Sequence, residues 1–158
     1  MVKINRFSKT TISLMLAIVL IMVPQLAAAG EATVPQTSPP PMMVQPMAVF
    51  DGYTYLHSST ADLTISTNLT ATVSATTHAR TAVAEVGASI QLQEWNGSSW
   101  INLVPVSAYS SKNTNWSFGG MNKSVRSGYY YRAKVTHFVK HNGITESAIE
   151  YSETIMAQ

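Results

Sequence analysis

From Val49 to the C-terminus, apolar and polar residues alternate with a period of two, which predicts β-strands rather than helices. In "DLTISTNLTATVSAT", Leu63, Ile65, Leu69, Ala71, Val73 and Ala75 share one face. Thr64, Ser66, Asn68, Thr70, Thr72 and Ser74 share the other. The run is long for one strand, so Ser66-Thr67-Asn68 is read as a break between two strands or a bend between sheets. Val86, Ala88, Ile90 and Leu92 then alternate with Gly87, Ser89, Gln91 and Gln93, and "WINLVPV" returns beside them. "NTNWSF" predicts a further strand, with Gly119-Gly120 as the turn after it. In "SGYYYRAKVTHFV", Tyr129, Tyr131, Ala133 and Val135 form a core face. Tyr130, Arg132, Lys134 and Thr136 form a solvent face, the Arg132 and Lys134 stems lying along Tyr130. Asn142-Gly143 marks a tight hairpin, because both residues tolerate positive φ. "TESAIEYSETI" closes the pattern. No stretch after the first 29 residues has helical periodicity.

The segment "LQEWNGSSWINL" (92–103) holds two of the three tryptophans. A two-residue Asn-Gly turn would pair Trp95 with Ser98, and a four-residue loop would pair Trp95 with Trp100. The two registers differ by an even step, so the faces are the same in both. Ile90, Leu92, Ile101 and Leu103 lie on one side. Trp95 and Trp100 lie on the other, with Gln91, Gln93 and Asn102. Rings beside amides suit a sugar, whose apolar face stacks while its hydroxyls bond to amides. Cross-strand aromatic pairs also stabilise hairpins by ~0.2–1 kcal/mol without binding anything.

The N-terminus has a different pattern. Lys3, Arg6 and Lys9 precede a thirteen-residue apolar run, Thr11–Val23, and then Pro24 and "QLAAAG". This reads as a secretory signal cleaved after Ala29, shorter than the ~20 residues that span a bilayer. Removing it takes three bases and no acids. The chain of 10 Lys+Arg and 8 Asp+Glu becomes one of net charge −1. The basic pI is therefore a property of the signal, and no basic patch argues for nucleic acid. Residues 30–47 read as a Pro-rich, disordered linker that neither packs nor pairs, with five prolines in "VPQTSPPPMMVQP". Met42, Met43 and Met47 are its apolar side chains available to dock. Residues 48–158 form one domain. With no cysteine, its apolar core must hold it without disulfides.

About seven short strands with hairpin connections predict an all-β fold, an antiparallel β-sandwich. "YRAKV" (131–135), three residues after Gly128, resembles the penultimate strand of fibronectin type III domains. That resemblance implies an immunoglobulin/fibronectin-III-like sandwich in which Tyr131 forms a tyrosine corner. "GYTYL" (52–56), "LQEWNGSSW" (92–100), "GYYYRAKVTH" (128–137) and "HNGITES" (141–147) together resemble a family of small secreted proteins of unknown function from Bacillus-like Gram-positive bacteria. The resemblance implies a secreted β-domain and no catalytic residues.

Candidate chemistry is sparse. The sequence has no nucleophile-elbow motif and no zinc or calcium ligand run. His57, His78, His137 and His141 are scattered and read as surface or hairpin residues. Glu146 and Glu150 share a strand face and read as a solvated face rather than a glycosidase pair. The expectation is a secreted, non-catalytic binding or adhesion module without cofactor or metal. Its site would be Trp95, Trp100, Gln91, Gln93 and Asn102, with Trp116 or Tyr130 assisting. A cell-wall glycan or a surface protein is the expected partner, with no nucleic acid and no membrane once the signal is gone. A matrix protein self-associating through long strand edges is the alternative.

Overall fold

The computed structural model describes residues 34–42 and 48–158, so the segment expected to be a signal (1–29), the expected cleavage after Ala29, Met43 and Met47 lie outside the described residues. Among the described residues the fold is all-β: β1 (Leu56–Ile65), β2 (Thr70–Trp95), β3 (Trp100–Asn102), β4 (Ser107–Ser124), β5 (Tyr130–His141), β6 (Ile144–Tyr151) and β7 (Ile155–Met156). They form one antiparallel sheet with the path β1-β2-β5-β6. β3 and β4 are added on β2, and β7 on β5. The predicted break after Ile65 is the β1–β2 hairpin, closed by the Leu69 N–H donating to the Ser66 carbonyl at 2.9 Å. Asn142 (φ 48°) and Gly143 (φ 75°) form the predicted β5–β6 turn.

The sheet curls because its two longest strands fold back on themselves. Ten residues of straight strand span ~33 Å. Yet the Thr77 hydroxyl donates to the carbonyl of Gly87, ten positions on, at 3.2 Å. β4 does the same: the Ser111 and Ser117 hydroxyls are 3.1 Å apart. Both bends fall where the β2–β4 ladder loses register, between His78 and Val83, and Asn113 takes a φ of 53° there. One half of β2 (70–78) lies between β1 and one half of β4. The other half (83–94) lies between the rest of β4 and β5.

The face-to-face halves enclose the core. Leu63, Val73 and Ala75 from one side meet Ala88, Ile90, Leu92, Tyr131 and Val135 from the other, as the period-two pattern predicts. A second cluster gathers Phe50, Leu56, Ala79, Val83, Val86 and Val139. Gly119-Gly120 is not a turn but lies within β4. At Gly119 a Cβ would fall 2.3 Å from the Tyr109 ring, which crosses the fold to donate its hydroxyl to the Ala75 carbonyl at 2.7 Å. The glycine there makes room for a ring.

Tyr131, fully buried at the start of β5, fixes the corner between β4 and β5. Its Oη accepts from the Arg126 N–H at 2.9 Å and lies 2.6 Å from the Glu94 carboxylate, to which it donates. Glu94 also holds the Arg126 guanidinium. Burial and this donation to Glu94 push the Tyr131 hydroxyl up to about 12.

Candidate functional site

The tryptophan hairpin takes the four-residue register: Trp95 pairs with Trp100, and Gln93 with Asn102. The Asn96 side-chain oxygen accepts from the Ser98 and Ser99 N–H groups at 2.9 and 2.8 Å, so asparagine's own acceptor builds the loop. Both tryptophans share a face with the three amides, and their ring centroids lie 5.4 Å apart. The opposite side is only partly core. Ile90 and Leu92 are fully buried and Leu103 packs against them, but Ile101 is 44% exposed, because β3 runs past the end of the core.

The amides are engaged with protein groups. Gln93 accepts from Arg132 Nε at 2.8 Å and donates to Asn102 Oδ1 at 2.8 Å. Gln91 donates to the Leu103 carbonyl. The polar part of the face is therefore internally paired, and a ligand hydroxyl would have to compete for it.

A stack missed in the sequence runs across the same face. The Arg132 guanidinium lies 4.2 Å from the Trp100 ring and 4.2 Å from the Tyr151 ring. Trp95, Trp100, Arg132 and Tyr151 thus form a continuous row across β2, β3, β5 and β6. Arg132 does not lie along Tyr130 in solvent. It is buried between two aromatic faces, and burial holds its guanidinium below its ordinary range. The sequence alone carries no signal for this stack, because Gln93 opposes Arg132 and Lys134 opposes Tyr151 only once β2, β5 and β6 are paired.

Trp95 is 8% exposed, because residues 34–42 lie over it. Its indole N–H donates to the Ser38 carbonyl at 2.9 Å, and the Gln36 N–H donates to the Gly128 carbonyl at 2.7 Å. This part of the Pro-rich stretch does pack and pair, contrary to the expectation for a linker. Its non-proline residues supply what proline lacks. Beyond Ser38, a cleft of about 340 Å³ is lined by Pro39, Pro40, Pro41, Met42, Tyr130, Glu153 and Thr154. Trp116 is 52% exposed on the half of β4 paired with β2 residues 70–78, away from this face.

Two carboxylates and one histidine depart from expectation. Glu146 is not a solvated charge. It accepts the N–H groups of Thr54, Tyr55 and Leu56 at 2.6, 2.8 and 2.7 Å. Burial pushes its carboxyl up, but these donors outweigh that and hold it below its ordinary range. His137 is fully buried, its Nδ1 2.7 Å from the Thr77 hydroxyl and its Nε2 3.3 Å from Glu150. Glu150 accepts from the Ser59 hydroxyl at 2.5 Å. The serine bonds to the carboxylate and not to the imidazole, so the three do not form a serine–histidine nucleophile pair. His57 and His78 are exposed, as expected, while His141 accepts the Ala84 N–H at 3.1 Å.

No protein-family model matches the chain, and no curated protein or solved structure matches it.

Proposed function

We propose that the chain is a secreted, non-catalytic binding module with an immunoglobulin/fibronectin-III-like sandwich. The two halves of β2 and β4 act as four strands, giving layers of three and four. The Tyr131 hydroxyl reaching back to Arg126 has the form of a tyrosine corner. Both observations support that reading of the fold.

The observation that carries the function is the row Trp95–Trp100–Arg132–Tyr151. Aromatic and arginine side chains are the groups that dominate recognition surfaces. Their ring faces suit a cell-wall glycan or a surface protein. The buried wiring of His137, Glu150 and Ser59 supports the non-catalytic part of the reading, since that cluster faces the core and not solvent.

The test is binding of the exported protein to cell-wall fragments and a glycan array, followed by tryptophan fluorescence. Trp100→Ala and Tyr151→Ala should each weaken binding roughly tenfold, with the melting curve retained. Wild-type binding by both variants would remove the face from the function.

One observation favours a second reading, self-association. Among the described residues β4 pairs only with β2, which leaves its other edge open there, and Trp116 and Phe118 stand 52% and 59% exposed on this strand. Light scattering that shows concentration-dependent growth, abolished by Trp116→Lys, would support it. A monomer at every concentration would refute it.

A further inference from the structure

The arm over Trp95 makes the contacts of a ligand. Ser38 offers its carbonyl to an indole N–H, Gln36 adds one backbone hydrogen bond, and three consecutive prolines line the same cleft as Tyr130. Aromatic grooves recognise polyproline II peptides in this way. The peptide has no internal hydrogen bonds, its carbonyls point outward, and its stiffness lowers the entropy lost on docking.

The domain is shaped to admit the arm. At Gly128 a Cβ would lie 2.8 Å from Gln36 Cγ and 2.9 Å from the Val34 carbonyl oxygen, and the residue takes a φ of 82°. Any side chain there would push the arm away. Thr37 passes beside the Gly97 turn, its Cγ2 3.6 Å from where a Cβ would stand. Residues 34–42 carry no charged side chain, so shape and hydrogen bonds decide the fit.

We propose that the groove formed by Trp95, Gly128, Tyr130, Glu153 and Thr154 is a recognition site for an extended proline-rich peptide. Residues 34–42 are its internal ligand, bound in cis. This names the partner class at one end of the binding face and rests on that reading of the face. Ser38 and Ala48 are ten residues apart, a tether of at most ~36 Å. Such a short tether holds the arm at an effective concentration near ~1 mM. A groove whose own Kd is ~100 µM is then about 90% closed, and a partner of the same chemistry must displace the arm to enter.

The experiment uses protein expressed from the full chain in a secreting host, and follows hydrogen exchange of the Trp95 indole N–H by NMR. Two variants open the groove without touching the domain. One carries Pro39→Ser, Pro40→Ser and Pro41→Ser together, and the other is Gln36→Pro, which removes the donor to Gly128. Each should exchange the indole proton roughly tenfold faster than wild type. The synthetic peptide Val-Pro-Gln-Thr-Ser-Pro-Pro-Pro-Met should then restore protection saturably, while a version with serine at all four prolines should not. Unchanged exchange in both variants overturns the cis arrangement. An opened groove that ignores the peptide overturns the ligand class. In either case, loss of glycan or surface-protein binding in Trp100→Ala would leave the binding face standing and remove only the peptide assignment.

Discussion

Replacing Tyr131 with phenylalanine deletes one oxygen atom and leaves a buried ring of nearly the same shape. Two hydrogen bonds are lost, from the Arg126 N–H at 2.9 Å and to the Glu94 carboxylate at 2.6 Å. A neutral bond contributes about 1 kcal/mol and one to a charged group about 1.5–3 kcal/mol. Arg126 is exposed, so water can recover its N–H, and Glu94 keeps its guanidinium partner. The net loss should be about 2–3 kcal/mol. That corresponds to a melting temperature lower by roughly 6–12 °C for a domain of this size. Urea unfolding at neutral pH should show a lower midpoint with an unchanged slope. Tyr130→Phe, on the other face of the same strand, is the control and should cost under ~0.5 kcal/mol.

Alkaline titration gives a second reading of the same group. The folded Tyr131 hydroxyl is raised to about 12 from an ordinary value near 10. Its contribution is therefore complete below pH ~10 and disappears as pH rises through about 12. Tyr109, raised to about 12 chiefly by burial, adds to the same loss. Tyr131→Phe should flatten the wild-type decline between pH 10 and 12 without abolishing it. Equal stability of Tyr131→Phe and Tyr130→Phe at neutral pH would refute the corner as a stabilising device.

Three further predictions follow from buried contacts. Glu146→Gln should destabilise by about 1–3 kcal/mol, since its carboxylate accepts three N–H groups. The folded carboxyl is held low, so this stabilisation is present above pH ~4.3 and lost as pH falls through the folded value. Acid unfolding of the variant should accordingly be less pH-dependent. Glu150→Ala leaves His137 Nε2 and the Ser59 hydroxyl without their carboxylate, and chemical denaturation should show a loss of about 2–4 kcal/mol. Gly119→Ala drives a methyl into the Tyr109 ring and should cost about 1–3 kcal/mol, much of it recovered when Tyr109→Ala is added.

The alternation of Leu63, Val73, Ala88, Ile90 and Val135 was legible because strand side chains have a fixed period of two. No choice of register can expose that set without burying its polar partners. The faces of Trp95 and Trp100 followed from the same rule even while the loop length was open. What periodicity does not encode is a strand that turns back on itself. Between His78 and Val83 the sequence reads "HARTAV", with no glycine or proline to announce a bend. The bend is a tertiary outcome, imposed by two apolar faces that can be buried only against each other. Gly119 misled for the complementary reason: glycine marks a turn locally, but here it answers a ring ten residues away in sequence.

His137 and Glu150, read in the sequence as surface and solvated residues, belong to a buried polar cluster. His137, Glu150, Ser59 and Thr77 lie on inward faces, between the two apolar clusters. Single-strand reasoning assigns such side chains to solvent, because isolated burial of each would be costly. Ser59 donates to Glu150, Thr77 bonds to His137, and His137 lies 3.3 Å from Glu150, an arrangement visible only when β1, β2, β5 and β6 are brought to one place. Arg132 follows the same logic on the outer face. A guanidinium between the rings of Trp100 and Tyr151, bonded to Gln93, loses water but regains partners of matching geometry. Lysine at 132 would keep the charge and lose the planar stacking. The row therefore depends on the shape of the cation, and not on its charge alone.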